Sequence, residues 1–270
     1  MTGGKGDDTY IVDDLGDKVV ETVGEGSDRI NASVSLILAD NVERLFLTGT
    51  GNLNGTGNGA WNYLGGNDGA NRLEGLDGGD YLVGKGGNDT LDGGSGPDTL
   101  EGGDGDDSYI VSDAGDVVTE WSGAGHDQVQ SAVSYTLGKE VEDLKLTGAA
   151  NIAGTGNADG NLIGGNSGSN MLRGLAGNDT LDGGKGADKL YGGDGNDLFV
   201  FRAGEGAGDS ILDFVAATAS QVGDRLEFQG YGSGAQVVIA ADSISLAYSG
   251  GTDIISLNTM GLNLSDILFT

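Results

Sequence analysis

A large apolar side chain returns at every ninth position through much of the first 200 residues. The clearest stretch is 75–110, which reads GLDGGDYLV, GKGGNDTLD, GGSGPDTLE and GGDGDDSYI, four blocks in one register without a gap. Within each block glycine stands first and fourth, aspartate sixth, and the apolar residue eighth. The same frame fits 3–11, 57–65, 66–74, 156–164, 165–173, 174–182, 183–191 and 192–200, giving twelve nonamers. Position 8 is apolar or aromatic in all of them: Tyr10, Leu64, Leu73, Leu82, Leu91, Leu100, Tyr109, Ile163, Leu172, Leu181, Leu190 and Phe199. A low-complexity Gly/Asp tract does not hold one position so strictly.

The pattern predicts a turn followed by a short strand. Glycines serve where the backbone needs positive φ or close approach. Positions 7–9 form the strand, with position 8 inward and its neighbours outward. One nonamer is then half a coil, and two make a coil of 18 residues. Stacked coils give two parallel sheets with the position-8 residues between them. No single repeat buries its face alone, so the array is cooperative along its axis.

Position 6 supplies the candidate chemistry. It is Asp at 8, 80, 89, 98, 107, 179, 188 and 197, and Asn at 62, 71, 161 and 170. Aspartates two repeats apart, such as Asp80 and Asp98, fall about one strand spacing apart, ~4.8 Å. Two bare carboxylates there repel by about 3–4 kcal/mol at an effective dielectric of ~20. A hard divalent cation reverses the sign, and Ca²⁺ accepts six to eight oxygen ligands in irregular geometry. Soft-ligand metals are disfavoured by the absence of Cys and the single His126. Neutral amides are poorer Ca²⁺ ligands, so the Asn rungs are expected to be metal-poor or to stack their amides.

The nonamer G-G-x-G-x-D-x-U-x resembles the calcium-binding repeat of the RTX (repeats-in-toxin, haemolysin-type) family, and the likeness covers roughly residues 3–200. It implies an all-β fold, a right-handed parallel β-roll or β-solenoid of stacked half-coils. It implies several Ca²⁺ ions held by Asp80, Asp89, Asp98, Asp107, Asp179, Asp188 and Asp197, with Asp8 fitting the motif but lacking preceding rungs. Main-chain carbonyls of Gly75, Asp77, Gly84, Gly86, Gly93, Ser95, Gly102, Asp104, Gly174, Ala176, Gly183, Lys185, Gly192 and Asp194 would complete the ligand sets. It also implies a secreted protein, exported unfolded by a type I ABC exporter through an uncleaved C-terminal signal. Ser265–Thr270 is similar to the acidic-then-hydrophobic ending of some exported members.

The chain carries 42 acidic against 13 basic residues, a net charge of −29, with 55 Gly and 6% aromatics. Low hydrophobicity with high charge means disorder unless something neutralises it. The chain is therefore expected to be unfolded without Ca²⁺ and folded with it. The acidic surface argues against nucleic acid and anionic membranes, and no apolar run reaches transmembrane length. No cleavable N-terminal signal is read.

A shift of 99 residues maps DDTYIV at 7–12 onto DDSYIV at 106–111, and GTGN at 55–58 onto GTGN at 154–157. Residues 3–101 and 102–200 thus read as two copies of one unit. Within each, a variant segment (roughly 12–56 and 111–155) keeps the beat loosely: Asp17 and Asp116 at position 6, a two-residue slip, then Asp28 and Asp127 in degenerate nonamers. The β-rich stretches that follow are expected to be further rungs with longer strands and a loop at Ala39–Asn41 or Gly138–Glu140. Residues 201–270 alternate like ordinary strands, with a hairpin turn at Ser249-Gly250-Gly251, and should form a β-rich cap. Its GDSILDF and GDRLEF resemble the C-terminal region of RTX proteases. Asp209, Asp213 and Asp224 there are candidates for another ion or for turn carboxylates.

Enzyme readings find no support in the motifs. Close carboxylate pairs are inevitable among 42 acids and diagnose nothing. His126 aligns with Ser27 of the other copy, no glycine-rich run opens a helix after a strand, and no nucleophile elbow is present. The chain starts inside a repeat, so it reads as the C-terminal part of a longer protein, with any catalytic domain N-terminal to it. Two functions remain: a module that folds on Ca²⁺ outside the cell and supports export, or a calcium-stabilised face for polysaccharide or a cell surface.

Overall fold

The computed structural model describes residues 1–216, 222–233, 235–239, 243–257, 262 and 266–270. Ser265 of the proposed export tail lies outside them. The described residues form strands and turns, with no α-helix among them, and they divide into two compact units, Met1–Gln130 and Ser131–Thr270. The fold is the parallel β-roll that the nonamer implies.

In the first unit one sheet runs Thr9–Val12, Arg29–Ala32, Arg44–Leu47, Tyr63–Gly65, Tyr81–Gly86, Thr99–Asp104 and Val117–Thr119, all parallel. The facing sheet holds Leu36–Ile37, Asn54–Thr56, Arg72–Asp77, Thr90–Ser95 and Ser108–Val111. Register confirms the 18-residue coil: Tyr63 pairs with Tyr81, Tyr81 with Thr99, Arg72 with Thr90 and Thr90 with Ser108. Leu64, Leu73, Leu82, Leu91, Leu100 and Tyr109 are each 0% exposed. Each such burial removes an apolar side chain from water, worth about 1.5–3 kcal/mol.

The second unit repeats the plan. One sheet runs Asp143–Leu146, Leu162–Gly164, Thr180–Asp182, Leu198–Arg202, Arg225–Gln229 and Ile267–Phe269, and the other Tyr135–Thr136, Ala153–Thr155, Met171–Ala176, Lys189–Asp194 and Ser210–Ile211. Parallel pairing continues to Gly251–Leu257 and then changes: Ser243–Tyr248 and Gln236–Ile239 join antiparallel. The hairpin turn at Ser249–Gly250 lies where the sequence puts it. An aromatic cluster of Phe201, Phe228, Tyr231 and Phe269 replaces the leucine ladder in this region.

Two expectations about strand length are corrected. Four nonamer strands of the first unit, Arg72–Asp77 through Thr99–Asp104, span six residues, because positions 1–3 of the following nonamer stay in the ladder. The variant segments hold strands of two to four residues, such as Leu36–Ile37 and Arg44–Leu47, shorter than these six-residue strands but not all shorter than the three-residue Tyr63–Gly65. The chain must turn sharply there, with Asn41 and Glu140 in the left-handed region at φ 62° and 61°. The copies also differ. Asp116 is buried and accepts the Asp98 N–H at 3.1 Å, whereas Asp17 is exposed and no strand follows it.

Candidate metal centre

The position-6 carboxylates form a ladder along each edge. Except in the first coil, Oδ1 accepts the backbone N–H of the position-6 residue one coil earlier. Asn62 donates to Asp80 at 2.7 Å and Asp80 to Asp98 at 2.7 Å. On the opposite edge Asn71 donates to Asp89 at 2.7 Å and Asp89 to Asp107 at 2.6 Å. The ladder continues past the sequence motif, from Asp98 to Asp116, Asp107 to Asp127 and Asp8 to Asp28. In the second unit Asn161 donates to Asp179, Asp179 to Asp197 and Asn170 to Asp188.

The other carboxylate oxygen is a different matter. Oδ2 of Asp8, Asp80, Asp89, Asp98, Asp107, Asp179, Asp188 and Asp197 is buried with no hydrogen-bond partner. A buried, unpartnered carboxylate oxygen is costly. Each of these atoms points at the position-1 glycine of its own turn, where a Cβ would collide with it. A position-1 carbonyl from the next coil reaches the same spot: an ideal Cβ on Gly75 would lie 2.5 Å from the Gly93 oxygen, on Gly84 2.7 Å from Gly102, and on Gly174 2.5 Å from Gly192. Glycine is required because the space is filled by oxygens. Carboxylate and carbonyl oxygens converging with no donor between them match the ligand set of a hard cation.

Of the position-1 carbonyls named from the sequence, those of Gly93, Gly102 and Gly192 face the glycine of an Asp turn one coil earlier, while those of Gly75, Gly84, Gly174 and Gly183 face the glycine of an Asn turn. At position 3, Ser95 and Asp194 accept N–H groups from Gly78 and Gly177. Asp77, Gly86, Asp104 and Ala176 lie in paired strand ends, while Lys185 sits in a bend.

Burial pushes the ladder carboxyls up. Asp80, Asp179 and Asp188 rise to about 6, and Asp89 and Asp107 to about 7, in each case chiefly by desolvation and against the lowering effect of the N–H bond they accept. Asp98 and Asp197 are also raised by burial. Without a cation, folding therefore shifts these carboxyls toward their neutral forms.

Of the three cap candidates, Asp209 extends the ladder by accepting the Asp188 N–H at 2.9 Å, and burial raises it to about 7. Asp224 accepts from Asp197 and Val215, and Asp213 from Gly192 and Gly193, so both oxygens of each already hold backbone donors.

The Asn rungs are built otherwise. Asn62 Oδ1 accepts the Asn58 N–H at 2.6 Å, and Nδ2 donates to the Val42 and Trp61 carbonyls. Asn58, at position 2, donates to Ala39 and Val42 and accepts from Ala60. The pairs Asn67/Asn71, Asn157/Asn161 and Asn166/Asn170 repeat this scheme. Sequence reasoning missed position 2, yet G-N-x-x-x-N stands in all four Asn nonamers and in no Asp nonamer. It also missed Glu21 and Glu120, which join Asp8 and Asp28, and Asp107 and Asp127, as groups of carboxylates with ligand atoms within 4.8 Å.

A parallel β-roll whose edges carry stacked, half-satisfied carboxylates defines a calcium-binding repeat module. The family model described as the RTX calcium-binding nonapeptide repeat matches four times, over residues 56–91, 65–99, 83–118 and 164–199, so these segments are RTX-type repeats. No curated protein sequence matches the chain significantly. Among solved structures, the AlgE6R3 subunit of the Azotobacter vinelandii mannuronan C5-epimerase is similar at 28% identity and a TM-score of 0.32, covering 50% of this chain and 82% of that one. The extracellular lipase LipA of Serratia marcescens is similar at 19% identity and a TM-score of 0.26, covering 91% of this chain and 45% of that one. No helix of the described residues is long and apolar enough to cross a membrane.

Proposed function

We propose that this chain is a calcium-dependent folding module of a larger extracellular protein. It leaves the cell unfolded by type I export and folds where Ca²⁺ is abundant. Asp80, Asp89, Asp98, Asp107, Asp179, Asp188 and Asp197 hold the ions with position-1 carbonyls, and Asp8 supplies a further carboxylate. The observation that carries this reading is the row of buried Oδ2 atoms with no donor, each facing a glycine and, at Asp80, Asp89 and Asp179, the position-1 carbonyl of the next coil as well. With a net charge of −29, the chain repels itself until cations are bound. Low cytosolic Ca²⁺ keeps it extended for passage, and folding outside opposes its return.

Far-UV circular dichroism of the metal-free chain during Ca²⁺ and Mg²⁺ titrations tests this. A cooperative coil-to-β transition with Ca²⁺ and little response to Mg²⁺ is expected. A full β spectrum in excess chelator would remove the coupling on which the reading rests.

A second reading, a polysaccharide- or cell-surface-binding face, has one observation in its favour. Phe46, Tyr63 and Tyr81 stack in the first unit at 5.1 and 5.4 Å, with the Arg29 guanidinium 4.2 Å from the Phe46 ring centre. Aromatic planes of this kind suit sugar rings. Binding of alginate or other glycans by the Ca²⁺-loaded chain, lost on Tyr81→Ala, would support it.

A further inference from the structure

Each sequence copy breaks the nonapeptide frame after its second block, and this break places a glutamate at the same point in both. After the block 111–119 two residues, Glu120 and Trp121, are inserted before the next block; after 12–20 the inserted residues are Glu21 and Thr22. Glu120 stands 18 residues after Gly102, and Glu21 stands 18 after Gly3. In the regular coils a position-1 glycine occupies that place and offers its carbonyl. The Gly102 oxygen thus lies 2.7 Å from an ideal Cβ on Gly84, and one coil on, Glu120 Oε1 lies 2.6 Å from an ideal Cβ on Gly102. The side chain has taken over the position of the main-chain oxygen and brings a carboxyl group in place of a carbonyl.

The ladder follows the break. The next carboxylate is Asp127, 20 residues after Asp107, and its Oδ1 still accepts the Asp107 N–H at 2.8 Å. Three carboxylates therefore meet where regular coils bring fewer: Asp107, Glu120 and Asp127, and in the other copy Asp8, Glu21 and Asp28. Burial shields them: Asp107 is 3% exposed, Glu21 8% and Asp28 1%. Asp107 Oδ2 and Glu21 Oε2 are buried without a hydrogen-bond partner. Tyr109 closes one site by donating its hydroxyl to Glu120, and the Gly3 N–H donates to Glu21 Oε1 at 3.3 Å in the other. Three like charges in a shielded space, with carboxylate oxygens left over, call for a cation of oxygen-seeking type.

We propose that the turns of Asp107 and Asp8 are completed outside the motif, as the divalent-cation sites Asp107–Glu120–Asp127 and Asp8–Glu21–Asp28, of the hard-oxygen class that suits Ca²⁺, in which a glutamate carboxylate replaces the glycine carbonyl of the regular turn. The inference rests on the calcium reading above and extends it beyond the nonapeptide. The extra carboxylate strengthens binding where the frame slips, so these sites fill first and pin the irregular coils into register.

The test counts ions on the full-length chain by native mass spectrometry and calorimetric Ca²⁺ titration, for the parent, Glu21→Gln, Glu120→Gln and the double variant. Each single variant should lose one ion and the double variant two, taken from the tightest phase. Tb³⁺ luminescence sensitised through Tyr109 should fall at least severalfold in Glu120→Gln. A folded double variant that keeps the parent ion count and affinity overturns the inference, while a parent that folds on Ca²⁺ leaves the proposed function standing. A parent that binds no Ca²⁺ overturns both. Should Glu120→Gln not fold, Glu120→Asp decides: a weakened tightest phase supports the site, and an unchanged one overturns it. Glu21→Gln tests the site of the other copy independently by the same ion count.

Discussion

Within one chain, two kinds of turn do the same job with different chemistry. The Asn turns at 57–62, 66–71, 156–161 and 165–170 close themselves: a carboxamide carries both a donor and an acceptor, so Asn at positions 2 and 6 satisfies the converging carbonyls and N–H groups. At two of these turns an ammonium assists, Lys85 donating to the Gly66 carbonyl and Lys145 to the Gly165 carbonyl at 2.9 Å. The Asp turns have only acceptors. Their position-2 residues take the left-handed conformation even when not glycine, at φ 83°, 84° and 87° for Leu76, Lys85 and Leu175, a cost of roughly 1–2 kcal/mol each. Carboxamides at the second and sixth positions thus separate a self-sufficient turn from one that waits for a cation.

The most damaging way to break this division is to put a charge into an Asn turn. Asn62→Asp sets a carboxylate against the Val42 and Trp61 carbonyls that now accept from Nδ2. A loss of about 3 kcal/mol is expected, not restored by Ca²⁺, since the carbonyl cradle there is closed by Asn58. Urea unfolding at saturating Ca²⁺ measures it, and rescue by Ca²⁺ would show that the two turn types interconvert by one residue. Next comes Asn58→Ala, which takes one donor from each of the Ala39 and Val42 carbonyls and the acceptor from the Ala60 N–H and should cost about 2 kcal/mol in the same assay, with the Ca²⁺ count unchanged.

Asp89→Asn makes the converse change. With Lys85 rather than Asn at position 2 the amide turn is incomplete, so the variant should need about tenfold more Ca²⁺ to fold, about 1.4 kcal/mol. An unshifted midpoint would remove Asp89 from the ligand set.

The pH dependence separates the turns without mutation. The folded-state values of Asp80, Asp179 and Asp188 near 6, and of Asp89 and Asp107 near 7, lie above the unfolded carboxylate value. Their contribution to the metal-free fold is fully present below about pH 4 and is lost as pH rises through 6–7. In chelator the chain should gain β structure on acidification, while in Ca²⁺ its folding midpoint should move to higher Ca²⁺ as pH falls from 7 to 6. A metal-free chain indifferent to pH over this range would contradict the burial of these carboxyls. The smallest effect is expected from Leu76→Gly, which should relieve left-handed strain and stabilise the Ca²⁺-loaded state by no more than about 1 kcal/mol, read as a small rise in Tm.

The nine-residue beat of position 8 determined, from sequence alone, that the chain is a two-sheet parallel roll with an 18-residue coil. A side chain that recurs at fixed spacing and is always apolar has one way to be buried. Glycine first and aspartate sixth likewise determined where carboxylates stack, because register carries that information through every coil. What the sequence left undecided depends on contacts across coils. Asn at position 2 looks like an ordinary turn residue until the Val42 and Val141 carbonyls are seen to need its amide. Asp116 and Asp17 are equivalent in the repeat, yet Asp116 meets the Asp98 N–H and is buried while Asp17 is exposed. Asp213 and Asp224 read as ligands or turn carboxylates with equal justice, and their donors came into view only with the fold. Glu21 and Glu120 stand outside the motif, in the residues that break it. Only the tertiary structure carries them 18 residues along the coil to the place where a glycine carbonyl belongs.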